Sequence, residues 1–146
     1  MTVPFQGGCR CGAIRYEVTA EPLAVVDCHC RDCQYASGGS HATVVVVSKE
    51  AFRLLTGTPK TFATRADSGN TTIRHFCPDC GTPLFGEASG GPMWTVKAAS
   101  LDDPSGLKVM AAVFVKSAQP WALIPSELPK FGTLPPDPQR MKRERS

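Results

Sequence analysis

The sequence predicts an all-β domain in which sheets pack against each other. About eight short runs rich in β-branched and aromatic residues follow one another, and Gly, Pro, Ser and Asp separate them. No helical period of apolar residues extends over the roughly ten residues that a stable amphipathic helix needs. A chain of 146 residues is long enough for one core without disulfides and corresponds to a single domain.

The predicted strands follow from local patterns along the chain. Residues 13–18 alternate between apolar and polar side chains, which is typical of a half-buried strand. Residues 42–47 include four consecutive valines, which are typical of a strand buried on both faces. Further strands are predicted at residues 23–26, 51–55, 60–65, 71–76, 93–98 and 109–115, and single helical turns at residues 50–55 and 118–123.

The C-terminal part of the sequence is rich in proline from Gln119 onward. Apolar residues lie among the earlier prolines, so we expect an extended strap along the core: Trp121, Leu123, Ile124, Leu128 and Phe131. After Leu134 only Met141 is apolar. Residues 1–134 are therefore predicted to form the single domain, and residues 135–146 a proline-rich, basic and disordered tail.

The net charge of +3 at pH 7 is located in this tail. Residues 140–146 contain four basic side chains and one acidic side chain, which leaves 12 basic and 12 acidic side chains in the rest of the chain. A domain that neutralises nucleic-acid phosphates needs a basic face, so this balance argues against nucleic-acid binding.

The sequence also argues against membrane insertion and secretion. No segment approaches the ~18–20 apolar residues of a membrane span, and the first residues lack the basic and apolar regions of a secretory signal. We therefore expect a cytoplasmic protein that does not bind a membrane. Stable disulfides are rare in a reducing cytoplasm, so the seven cysteines are interpreted as metal ligands or reactive thiols.

The cysteines form three closely spaced groups: Cys9 and Cys11; Cys28, Cys30 and Cys33; Cys77 and Cys80. Two thiolates on one tight turn can bind the same ion, and Zn–S distances of ~2.3 Å require such closeness. In the last group Pro78 fixes one turn position and Gly81 permits a positive φ, which is the pattern of a zinc knuckle. A tetrahedral site needs a second pair, and the glycine-flanked pair near the N-terminus supplies it.

A shared site would close a long loop between the first and last cysteine groups. Such closure is entropically costly in a small β domain without a cross-link. Structural zinc contributes on the order of 10–16 kcal/mol of binding free energy to folding in model peptides. We therefore interpret Cys9, Cys11, Cys77 and Cys80 as the ligands of a structural zinc ion.

Cys28, Cys30 and Cys33 remain, and they leave two alternatives. Three thiolates with an open fourth position are typical of a catalytic zinc. A closed site would take its fourth ligand from a neighbouring side chain: His29, His41, His75, Asp27 or Asp32. In an extended segment His29 would point away from the flanking cysteines. An iron–sulfur cluster commonly needs four cysteines, and a redox thiol motif needs a βαβ context, so both rank behind zinc.

The order of these motifs resembles the glutathione-dependent formaldehyde-activating enzyme family, which includes the centromere-protein-V-type domain. The resemblance is carried by residues 8–12 (GCRCG), residues 28–39 (CHCRDC followed by small residues) and residues 74–84 (RHFCPDCGTPL). Residues 101–104 (LDDP) and 119–121 (QPW) also resemble the family. The resemblance extends over about residues 7–131, and all seven cysteines lie on its motifs.

The resemblance implies an all-β fold of the β-tent type, with packed antiparallel sheets and two zinc ions per chain. It implies that the four-cysteine set holds the structural zinc and that Cys28, Cys30 and Cys33 hold a second, catalytic zinc. The implied activity is addition of glutathione to formaldehyde to give S-hydroxymethylglutathione, formally a carbon–sulfur lyase reaction in reverse. Two alternatives remain: the same site acting on another thiol or electrophile, and a non-catalytic, zinc-stabilised interaction module.

The partners implied by the resemblance are a small-molecule thiol and an aldehyde. Glutathione has two carboxylates, and Arg31, His41 and Arg74 lie near the cysteine motifs, so these residues are candidate anchors. The substrate pocket is expected to be lined by residues 37–42 and 92–96.

Overall fold

Ten strands and one short helix lie in the part of the chain that the computed structural model describes, residues 1–66, 69–88 and 91–134. In chain order the strands are β1 (Phe5–Gly8), β2 (Arg15–Val18), β3 (Ala24–Cys28), β4 (Ala42–Ser48), β5 (Phe52–Thr56), β6 (Lys60–Arg65), β7 (Thr71–Phe76), β8 (Pro83–Ala88), β9 (Met93–Lys97) and β10 (Ala111–Val113). The helix α1 (Arg31–Ser37) follows β3, and 3₁₀ turns lie at Lys49–Ala51, Ala98–Ser100 and Val115–Ser117. The basic tail predicted at residues 135–146 lies outside the described residues.

The strands form two sheets. One has three strands in the order β1-β2-β5, and the other has seven strands in the order β10-β3-β4-β9-β8-β7-β6. Neighbouring strands run antiparallel except for β10 and β3, which are parallel. The predicted all-β class with packed, mainly antiparallel sheets is confirmed. Within the described ranges, no helix has both the length and the apolar character needed to cross a bilayer.

The valines of β4 are buried on both faces, as their sequence predicts. Val45 and Val47 lie in a core that also contains Tyr16 of the three-stranded sheet, and all three side chains are fully buried. Val44 and Val46 lie in a second core on the other face of the seven-stranded sheet, together with residues of β3 and β10. Because side chains alternate along a strand, β4 contributes to both cores.

The proline-rich segment pairs with β10 and covers the second core. The N–H of Phe131 donates to the carbonyl of Ala112 at 2.9 Å. Leu128 is buried and Phe131 packs against the second core, so the expected strap is present there. Trp121 and Leu123 are 63% and 92% exposed, so the expectation that they lie along the core is wrong.

The sequence pattern does not predict β1, β8 or α1. Both β1 and β8 contain glycine, and β8 begins with proline. Because glycine and proline are depleted in strands, the sequence pattern does not indicate a strand at either place. Gly7 of β1 is required by packing, because a Cβ atom there would clash with the hydroxyl oxygen of Tyr16 and would lie 2.5 Å from the carbonyl oxygen of Ser100.

Two other predictions concern residues near the C-terminal strap. The strand predicted at residues 109–115 is shorter, because Phe114 leads the chain into a 3₁₀ turn directly after β10. The helical turn predicted at residues 118–123 is a single turn, closed by a hydrogen bond from the N–H of Ala122 to the carbonyl of Gln119 at 3.0 Å.

Candidate metal centres and the cleft beside them

Four cysteines from two distant parts of the chain meet at one point. The Sγ atoms of Cys9, Cys11, Cys77 and Cys80 all lie within 4.8 Å of one another. The Sγ of Cys11 is 3.5 Å from that of Cys9 and 3.7 Å from that of Cys77. Tetrahedral coordination with Zn–S bonds of ~2.3 Å separates the sulfurs by ~3.8 Å, so this four-cysteine cluster could hold one ion of the size of zinc.

The turn between β7 and β8 presents two of these sulfurs. The N–H groups of Asp79 and Cys80 both donate to the Sγ of Cys77 at 3.4 Å. Gly81 takes a φ of 78° and ends the turn, as the knuckle pattern predicts. Hydrogen bonds from the hydroxyl and the N–H of Thr82 lower the pKa of Cys80 to about 5, which favours the thiolate that a metal requires.

Cys28, Cys30 and Cys33 form a second cluster, the three-cysteine cluster, at the junction of β3 and α1. Their Sγ atoms also lie within 4.8 Å of one another. Cys28 ends β3, and Cys30 is the N-cap of α1, where its Sγ accepts a hydrogen bond from the N–H of Cys33 at 3.3 Å. Helix α1 therefore sets the spacing of Cys30 and Cys33, because positions three residues apart lie on one helix face.

The neighbouring thiols and a backbone N–H favour a thiolate at Cys30. The thiols of Cys28 and Cys33, together with the N–H of Cys33, lower the pKa of Cys30 to about 2. The same interaction with Cys30 raises the pKa of the buried Cys28. A bound cation would release the protons of the other two thiols, because metal ligands must be deprotonated. Thiolate sulfurs at these separations are typical ligands of zinc.

No histidine or carboxylate among the described residues brings a ligand atom within 4.8 Å of all three sulfurs. The sequence candidates for a fourth ligand therefore do not complete the cluster: His29, His41, His75, Asp27 and Asp32. The His41 Nε2 lies 3.6 Å from the Asp27 carboxylate, and its ring packs against that of His29 with centroids 5.1 Å apart. The His75 Nε2 lies 2.9 Å from the Glu87 carboxylate.

The three-cysteine cluster borders a cleft of about 300 Å³. Cys30 and Cys33 line this cleft together with four cationic side chains, an aspartate and several apolar residues: Arg31, Arg65, Arg74, Lys97, Asp32, Ala36, Phe114 and Leu134. Lys97 also lines two neighbouring cavities of about 230 and 340 Å³. The cleft thus combines thiol sulfurs with an excess of positive charge.

Comparison with known proteins gives the same family as the motifs. Residues 4–117 match the model of the family described as glutathione-dependent formaldehyde-activating enzyme. The chain belongs to this family. The match ends before residues 119–131, to which the sequence resemblance extends. A crystal structure of a Rhodobacter sphaeroides protein is similar in fold, with a TM-score of 0.53 and 22% identity over 70% of this chain and 90% of that chain.

Two of the three anchors expected from the sequence reach the cleft of this formaldehyde-activating family member. Arg31 and Arg74 line it, whereas His41 lines a neighbouring cavity beside the Asp27 carboxylate. Of the two expected pocket segments, residues 92–96 contribute Thr95 to the cleft. Residues 37–42 line the neighbouring cavity instead.

Sequence reasoning misses Arg65, Lys97 and Phe114 of the cleft. Arg65 ends β6 and Lys97 ends β9, and neither residue stands near a cysteine motif. The order of strands in the large sheet brings these strand ends to the cluster, and that order cannot be read from a single sequence. Phe114 lies within the apolar run of residues 109–115, and nothing in that run distinguishes it as a residue of the cleft.

Proposed function

We propose that the chain is a zinc-dependent enzyme that joins a thiol of the glutathione type to formaldehyde, or to a related small aldehyde, and gives an S-hydroxymethyl adduct. Formally this is a carbon–sulfur lyase reaction run in reverse. One observation carries the proposal: in a chain of this family, the three-cysteine cluster borders a cleft with four cationic side chains.

The two clusters differ in what they offer a metal. Four thiolates fill a tetrahedral ion, so we assign Cys9, Cys11, Cys77 and Cys80 to a structural zinc. The three-cysteine cluster leaves one coordination position free and borders the cleft, so we assign it the catalytic zinc. A zinc ion bound by three thiolates accepts an exchangeable thiol and lowers the pKa of that thiol.

The remaining task of the chain is to hold the thiol substrate. Glutathione has two carboxylates, and an arginine guanidinium recognises a carboxylate through paired hydrogen bonds. Arg31, Arg65 and Arg74 line the cleft beside Cys30 and are assigned this role. Formaldehyde itself offers little surface, so most of the binding free energy has to come from the thiol.

We also propose that the protein acts in a reducing compartment such as the cytoplasm. All seven cysteines are free thiols. Oxidation of either cluster to disulfides would remove the ligands that the proposed metals require.

The test is the rate of adduct formation. Protein with two zinc ions should accelerate exchange between glutathione and ¹³C-formaldehyde above the uncatalysed rate, measured by exchange NMR at neutral pH. Cys30→Ser should lose this acceleration, whereas Arg53→Ala, an exposed residue of β5, should retain it. A wild-type protein that keeps two zinc ions without accelerating exchange would contradict the proposal and would leave the two alternatives, a site for another thiol or electrophile and a zinc-stabilised interaction module.

A further inference from the structure

Lys97, the last residue of β9, lies where three cavities meet. Its side chain lines the cleft of the three-cysteine cluster and both neighbouring cavities, and the residue is half-buried. Lys97 also lies close enough to Cys33 to interact electrostatically with that thiol. The fold therefore holds an ammonium group beside the cluster.

Lys97 takes part in none of the ion pairs formed between described residues. Those pairs are Arg15 with Asp102, His41 with Asp27, and His75 with Glu87. A half-buried cation loses hydration, and this loss is unfavourable unless an anion or a hydrogen-bond acceptor compensates for it. The Cys33 thiolate is one anion beside Lys97, and a ligand that brings further negative charge into the cleft would also find a favourable partner in this ammonium group.

The proposed reaction generates such a charge. The thiolate sulfur forms a bond to the carbonyl carbon, and the electron pair of the C=O π bond moves to the oxygen. The alkoxide then takes a proton from water, which balances the proton that the thiol loses to water. Three cysteine thiolates and a divalent ion sum to a formal charge of −1, so the negative charge that moves from the substrate sulfur to the oxygen beside them is unfavourable without a nearby cation.

We propose that Lys97 is a catalytic residue that donates a hydrogen bond to the aldehyde oxygen and stabilises the negative charge developing there. This inference rests on the proposed function and adds a role that the arginines do not have. Arg31, Arg65 and Arg74 would hold the carboxylates of the thiol, whereas Lys97 would act on the reacting carbonyl group.

Kinetics with two thiols separate these roles. With glutathione at saturation, Lys97→Met should slow adduct formation by about 10²-fold, the usual effect of removing one oxyanion donor, and should leave the KM for glutathione nearly unchanged. The same loss should appear with 2-mercaptoethanol, which has no carboxylate. Lys97→Arg should recover part of the rate, and Lys108→Met, an exposed lysine outside the cleft, should match the wild type.

A binding measurement gives a readout that does not depend on turnover. S-Carboxymethylglutathione places a carboxylate directly after the S–CH₂ unit, whereas S-ethylglutathione carries no oxygen there. Calorimetry should show that the wild type binds S-carboxymethylglutathione about tenfold more tightly than S-ethylglutathione, which corresponds to one hydrogen bond to a charged group. Lys97→Met should bind the two ligands with similar affinity. Two zinc ions per chain and an unchanged circular dichroism spectrum would show that the variant is folded.

These experiments distinguish a failure of the proposed function from a failure of the proposed role of Lys97. Absence of acceleration by the wild type would overturn the proposed function. Acceleration by the wild type together with an equally active Lys97→Met would overturn only the role of Lys97. A rate loss confined to glutathione would make Lys97 a carboxylate anchor and would also overturn the inference, as would an unchanged ligand preference.

Discussion

The Sγ atoms of Cys11 and Cys77 lie 3.7 Å apart, although 66 positions separate the two residues in the sequence. Cys11 lies in the turn between β1 and β2 of the three-stranded sheet, and Cys77 lies in the turn between β7 and β8 of the seven-stranded sheet. A metal at the four-cysteine cluster would therefore join the two sheets.

The first prediction concerns this connection. Cys80→Ser should lose one of two metal ions and should unfold, because structural zinc contributes on the order of 10–16 kcal/mol and whole domains are stable by only about 5–15 kcal/mol. Cys80 is exposed, so the substitution itself buries no polar group. Metal analysis and circular dichroism measure the outcome. Asp79→Ser, in the same turn, should stay folded, and a folded Cys80→Ser with two metals would contradict the assignment.

The second prediction concerns the three-cysteine cluster. Cys30→Ser should bind one metal ion per chain and keep its fold, because residues 28–33 form one local segment and close no long loop. The measurements are metal content and the thermal unfolding midpoint. Unfolding of this variant would show that the second cluster is structural, which would argue against an open catalytic site.

The third prediction is a dependence of stability on alkaline pH. The hydroxyl of the fully buried Tyr16 lies 2.7 Å from the Ser100 Oγ, and burial raises the pKa of Tyr16 to about 12. In the unfolded chain this pKa is about 10. Between these values the unfolded state loses its proton first, so stability should fall with rising pH, by up to about 3 kcal/mol from Tyr16 alone.

Tyr16→Phe provides the matched comparison. This variant should be less stable than the wild type at pH 8 by about 1 kcal/mol, because the hydrogen bond to Ser100 is lost. Its stability should fall less steeply above pH 10. Urea unfolding at several pH values measures both slopes, and equal slopes would show that Tyr16 does not contribute.

Much of the fold and both clusters follow from local sequence patterns. The valine run predicts a strand buried on both faces, and β4 is such a strand. Spacing predicts that Cys9 and Cys11 meet Cys77 and Cys80, and their sulfurs do lie together. In these cases the signal lies in short motifs, because the valine run is one segment and each closely spaced cysteine pair supplies half of a tetrahedral site.

The parts that sequence reasoning misses depend on contacts between distant segments. Gly7 would ordinarily argue against a strand, and only the packing of Tyr16 against it explains its presence in β1. The position of Lys97 in the cleft depends on the order of strands in the sheet. Helix α1 is too short for a periodic signal, and its start is set by a cysteine N-cap rather than by a usual capping residue.

A last prediction concerns Phe114, which directly follows β10. Among the described residues it is the one non-glycine residue with a positive φ, at 55°. This left-handed conformation costs an L-residue about 1–2 kcal/mol. The ring packs against the second core and lines the cleft beside Cys30, so packing compensates for the backbone strain.

Two substitutions separate the ring of Phe114 from its backbone. Phe114→Ala removes the ring and keeps the strain, whereas Phe114→Gly removes both. Both variants should be less stable than the wild type. In urea unfolding, the free energy of unfolding of the glycine variant should be higher than that of the alanine variant by about 0.5–1 kcal/mol. At Phe62, an exposed residue of β6, the order should reverse, because glycine weakens an ordinary strand. The same order at both positions would show that the conformation of Phe114 carries no strain.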